Sequence, residues 1–111
     1  MGDVKLIIKQ DLFDSVGVTV SKLKCIIGKK NDIWIYGDVS INEKKLDDRA
    51  MSVNANLCDE DDRILFVFRE YPLISFEEAS TESFVMLCVD IARFFDVGML
   101  HHVEIYPRVG E

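Results

Sequence analysis

The longest patterned stretch of the chain is residues 80–97, STESFVMLCVDIARFFDV, in which Phe84, Leu87, Cys88, Ile91 and Phe95 recur at i, i+3, i+4, i+7 and i+11. That spacing predicts an α-helix with one apolar face. Ser80 or Thr81 can cap its start by accepting a backbone N–H bond, Glu82 suits the positive end of the dipole, and Gly98 follows as a left-handed terminator. Val85, Met86, Val89 and Phe94 widen the apolar surface beyond the needs of a lone surface helix, so a β-sheet is expected to cover it.

Shorter patterns lead up to this stretch. Residues 4–9, VKLIIK, set Val4, Leu6 and Ile8 against Lys5, Ile7 and Lys9 and predict a half-buried strand. Residues 11–17 are expected to form a loop whose Leu12, Phe13 and Val16 tuck onto the core. Thr19 or Ser21 then caps a short amphipathic helix through Leu23, Ile26 and Ile27, stopped by Gly28. Residues 32–41, DIWIYGDVSI, predict a strand with Ile33 and Ile35 on one face, Trp34 and Tyr36 on the other, and Gly37-Asp38 as a bulge or tight turn within it.

Residues 49–57 alternate Met51, Val53, Ala55 and Leu57 with Ser52, Asn54 and Asn56, the period of a strand with one wet face. After a charged turn at 58–62, residues 63–69, RILFVFR, predict the strongest strand, ended by Tyr71-Pro72. Ser75 and Glu78 have the spacing of a capping box that starts the long helix a turn early. Residues 102–106, HVEIY, predict a closing strand halted by Pro107. The expected order is β-α-β-β-β-α-β: one α+β domain over residues 1–111, with two helices packed on one face of a mainly antiparallel sheet.

Charge adds more than composition does. With 49% apolar and 30% charged residues in 111, the chain reads as one folded, soluble domain. Its −7 net charge is unevenly spread: +3 over residues 1–30, −6 over 31–62 and −4 over 63–111. An acidic surface repels phosphate backbones and attracts cationic partners, so nucleic acid is not an expected ligand. No apolar run is long enough for a membrane span and the N-terminus lacks a signal-peptide pattern, so a cytoplasmic location is expected, with no membrane partner. Three widely spaced cysteines, Cys25, Cys58 and Cys88, suggest neither a disulfide framework nor a zinc pair.

Candidate chemistry is sparse. His101-His102, with Glu104 and Cys88, could be drawn as a metal site or a Cys–His pair, but adjacent strand residues point to opposite faces and no ligand spacing supports it. No phosphate loop, GxSxG elbow or HExxH sequence occurs, so neither an enzyme nor a cofactor is expected. Trp34, Tyr36, Phe66 and Phe68 have the alternate placing of base-stacking aromatics, yet the charge opposes that use. The acidic run Asp59, Glu60, Asp61, Asp62 remains, flanked by Asp47, Asp48, Glu77 and Glu78. It lacks the alternating ligands and central glycine of a calcium loop. These eight carboxylates are the candidate contact surface for a basic protein partner.

Two resemblances bear on that reading. The segment TVSKLKCII at 19–27 resembles the TVxxLKxxI helix of ubiquitin-like domains, and KLDD at 45–48 with residues 63–69 is similar to later parts of that fold. The strand containing Asp3-Val4 is similar to the opening of adaptors of the elongin B type, which implies an adaptor role in a larger complex. The whole-chain profile of size, acidity and α+β make-up resembles the immunity proteins that bacteria pair with secreted or contact-delivered toxins. That resemblance implies a non-enzymatic, stoichiometric inhibitor whose acids occupy the positive groove of a nuclease-type toxin.

Overall fold

A computed structural model of the chain describes residues 4–42, 50–68, 73–75 and 81–109. Strand β1 (Lys5–Ile8) leads into a six-residue helix, α1 (Gln10–Ser15). The remaining strands are β2 (Val18–Ile27), β3 (Ile33–Ile41), β4 (Ala50–Cys58), β5 (Ile64–Phe68), β6 (Leu73–Ser75), β7 (Thr81–Cys88) and β8 (His102–Val109). Single 3-10 turns at Ile91–Arg93 and Val97–Met99 join the last two. The result is a mixed α/β domain, mostly strands in two sheets, with one α-helix among the described residues.

The larger sheet runs β1-β8-β4-β5. β4 is its centre, pairing with β8 along one edge and with β5 and β6 at the two ends of the other. Only the β1–β8 pairing is parallel among the described strands. The smaller sheet is antiparallel in the order β2-β3-β7. Val18, Val20, Cys25, Ile33, Ile35, Phe84 and Met86 from the small sheet meet Met51, Val53, Ala55, Leu57, Val103 and Ile105 from the large one in a single buried cluster. Helix α1 touches both β2 and β8 and sends Phe13 and Val16 into the same cluster, as expected, whereas Leu12, expected to join them, is exposed on the outer side of the helix turn.

Both predicted helices are strands, which corrects the two-helix order. The run from Phe84 to Val89 is apolar without a break, and such a run satisfies helical and extended spacing alike. Its β-formers decide the matter: Thr81, Phe84 and Val85 fit a pleated surface. Phe84 and Met86 face the core while Val85 and Leu87 face outward. Asp90, at φ 51°, takes the left-handed conformation and turns the chain, so Ile91 and Phe95 belong to a separate segment.

In β2 a β-bulge hides the period of two. Pairing with β3 shifts between Ser21 and Lys24, with Lys22 at φ 54°. Val18 and Val20 point inward before the shift, Leu23 and Cys25 after it, so the inward set moves from even to odd positions. The step from Val20 to Leu23 then has the spacing of a helix turn. Gly37 lies opposite on β3, which continues straight through it; the expected bulge sits on the partner strand. A Cβ on Gly37 would lie 2.9 Å from Leu23 Cδ1 and 3.1 Å from the Ser21 carbonyl oxygen, so the bulge folds over a residue with no side chain.

Two expectations about strand faces and ends are also corrected. β4 is a strand as predicted, but Ser52 and Asn54 on its supposedly wet face are buried. Asn54 Nδ2 donates to the Ser52 carbonyl at 3.3 Å and to Ser52 Oγ at 3.0 Å. β8 passes through Pro107 to Val109. β1 ends opposite Ile105, so beyond that point β8 is bordered on one side only among the described strands, and a proline there costs no ladder bond on the free side.

Candidate functional site

The acidic run forms the turn between β4 and β5, and its first carboxylate builds it. Asp59 is buried, and its Oδ1 accepts hydrogen bonds from the backbone N–H groups of Asp61 and Arg63, each at 2.9 Å. Such a bond from an aspartate to backbone two residues on is the Asx-turn device. Asp59 N–H donates to the Arg63 carbonyl at 3.0 Å, and Asp62 takes a left-handed φ of 63° to close the loop. Asp59 therefore serves the turn first.

The neighbouring acids divide. Arg63 lies between two of them, its guanidinium 3.9 Å from Asp59 Oδ2 and 3.3 Å from Asp61 Oδ2. Asp62 Oδ1 approaches His102 Nε2 to 3.1 Å. That approach is too poorly aligned for a hydrogen bond, and His102 Nε2 has no aligned partner among the described residues, so the contact is one of charge when the ring is protonated. Glu60 is exposed and makes no ion pair among the described residues. Asp47, Asp48, Glu77 and Glu78 lie outside the described residues.

Across from the turn is the Val97–Met99 segment, itself an Asx-type turn in which Asp96 Oδ1 accepts from Gly98 N–H at 2.9 Å. A backbone bond from His101 N–H to the Cys58 carbonyl, 2.9 Å, ties the two loops together. Between them opens a cleft of about 390 Å³ with Asp59, Glu60, Asp61 and Arg63 on one wall and Met99, Leu100 and His101 on the other. Three of the four acids of the run thus line one concavity with apolar side chains beside them.

His101 connects this cleft to the interior. Its Nδ1 lies 2.8 Å from Nδ1 of His102, which is 3% exposed. One ring must donate and the other accept, so at least one of the two is neutral at that nitrogen. A line from Asp62 through His102 to His101 is the result. The expectation that the two histidines point to opposite faces of a strand is corrected: His101 precedes β8, and its loop position lets the ring turn back onto its neighbour.

The cysteine nearest the histidines is Cys58, directly across the ladder from His102, and not Cys88 as the sequence suggested. Burial, joined by the Glu104 carboxylate 3.7 Å from its sulfur, pushes the Cys58 thiol up to about 11, which leaves it protonated and unreactive at neutral pH. Burial acts to raise Glu104 as well, but the Lys9 ammonium at 3.1 Å outweighs it and holds that carboxyl below its ordinary value. Cys88 ends β7 in the other sheet, and burial raises its thiol too. Among the described residues no group of three or more His, Cys, Asp or Glu side chains is arranged to hold a metal ion.

What sequence reasoning missed is the meeting of the acidic turn with the histidines and Met99. Nothing local signals it, because the pairing of β4 with β8 brings Cys58 beside His102 across a long separation in sequence. Trp34 is on the outer face of the small sheet, where Asp32 Oδ2 accepts from its Nε1 at 2.7 Å. The segment 19–27 compared with the ubiquitin-like helix is strand β2. No helix among the described residues is long and apolar enough to cross a membrane. Set beside known proteins, the chain matches no family model, and no curated protein or solved structure matches it either.

Proposed function

We propose that this chain is a non-enzymatic protein-binding domain that captures a cationic partner at the β4–β5 turn, most concretely a cytoplasmic immunity protein that neutralises a basic, nuclease-type toxin. The observation that carries the reading is the cleft in which Asp59, Glu60 and Asp61 stand opposite Met99 and Leu100. Lysine and arginine side chains combine an apolar stem with a charged head, and this cleft offers an apolar wall for the stem and carboxylates for the head. Glu60, with no internal ion pair among the described residues, is the acid most available to a partner. Asp61 shares Arg63 and contributes once a stronger cation arrives. The −7 net charge adds long-range attraction for a basic protein.

The test uses the protein encoded immediately upstream as the binding probe. Glu60→Lys combined with Asp61→Lys should slow association by about tenfold or more and flatten its salt dependence, because exposed charge at an interface governs the on-rate. An unchanged on-rate with unchanged salt dependence overturns the reading. Co-purification with a ligase subunit in place of that neighbour would favour the ubiquitin-like adaptor alternative.

A further inference from the structure

Away from the large sheet, the small sheet turns an apolar face to solvent. Register places Ile26, Trp34 and Leu87 in one row and Lys24, Tyr36 and Val85 in the next. Val85 and Leu87 are each 42% exposed, and Val89 follows just beyond the strand. A groove of about 650 Å³ runs along this face past Tyr36, Asp38, Ser83 and Val85. Nothing among the described residues pairs with the outer edge of β7. That edge, TESFVMLC, carries no proline, no lysine and one glutamate, so it lacks the devices by which unpaired strands usually repel one another.

We infer that a second copy of this chain covers that edge, β7 pairing antiparallel with β7 about a twofold axis through Val85. Two arguments select the copy over another occupant. The face is neutral in an acidic chain: Lys22 and Lys24 balance Asp32 and Asp38, with Lys22 Nζ 3.8 Å from Asp38 Oδ2. It therefore has little pull on a strongly charged partner, and it is a surface where two molecules of charge −7 meet with the least repulsion. The edge is also self-complementary. With Val85 opposite Val85, Ser83 meets Leu87 on the outer face and Phe84 meets Met86 on the inner one, so side chains of both copies stay on matching faces. The two three-stranded sheets become one six-stranded sheet, and the acidic cleft lies outside the contact, on the turn between β4 and β5.

The test is sedimentation of the full chain across concentration. Wild type should form a dimer, and Val85→Lys and Val85→Glu should each raise its dissociation constant by about tenfold or more, because like charges then face each other across the axis. An equimolar mixture of the two variants should dimerise again, since the axis now pairs an ammonium with a carboxylate. Val85 is half-exposed, and circular dichroism of each variant checks that the fold is kept. A wild-type chain that stays monomeric up to about 1 mM overturns the inference and leaves the edge to a strand from another protein. A dimer indifferent to both variants, or a mixture that fails to recover, overturns it as well.

Discussion

β4 and β7 are both strands of eight or nine residues, yet they live in different surroundings. β4 is bordered on both edges and buried on both faces, so even its Ser52 and Asn54 are out of water. β7 has one partner strand among the described strands and one buried face. Polar residues at alternate positions therefore do not mark solvent, and apolar residues at consecutive positions do not mark a helix. What a strand buries depends on where the sheet puts it, and the sheet is assembled from distant pieces of chain.

The sharpest way to break this comparison is to shorten one leucine in each strand. Leu57→Ala, from a fully buried site in β4, should cost about 3 kcal/mol, the usual price of a cavity in a packed core. Leu87→Ala, on the outer face of β7, should cost less than about 1 kcal/mol. Urea denaturation of the two variants decides, and equal costs would erase the distinction.

Next in size is an alkaline effect at the end of β4. The Cys58 thiol titrates at about 11 in the fold, above its ordinary value of 9.0, so the folded state disfavours the thiolate. Its contribution to stability is whole below about pH 9 and drains away as pH rises towards 11, amounting to about 2 kcal/mol by the end of that range. Stability curves at pH 8 and pH 10.5 should therefore converge in Cys58→Ala, relative to wild type.

The smallest contrast is within the acidic turn. Asp59→Ala removes the acceptor for two backbone N–H groups and should destabilise by about 1–2 kcal/mol. Glu60→Ala, at an exposed position, should change stability by less than about 0.5 kcal/mol while weakening capture of a basic partner. Thermal unfolding and binding measured on the same pair of variants separate the acid that shapes the loop from the acid that meets the partner.

Much of the strand framework was legible. VKLIIK, DIWIYGDVSI and RILFVFR each contain the strand they announce, and the inward faces of β1 and β3 are those their alternation predicts. The helices were not legible, for reasons local to their residues: a bulge at Lys22 converts alternation into a three-residue step, and the left-handed Asp90 divides a pattern that reads as continuous. α1 escaped notice because six residues with no side-chain cap give no start signal. Of the candidate site, the carboxylates of the 59–62 turn stood out by composition alone. The burial of Asp59, the Arg63 bridge and the turning of His101 onto His102 follow from loop geometry that no spacing encodes.

The bulge opposite Gly37 makes β2 two half-strands joined out of phase. Loss of Lys22 would leave Leu23 alone opposite Gly37 and restore plain alternation, with Cys25 still facing the interior and Lys24 still facing water. The extra residue therefore bends the strand over Gly37 without changing which side chains the downstream half buries. A homologue one residue shorter between Val20 and Cys25 would keep the same buried face and lose only the bend.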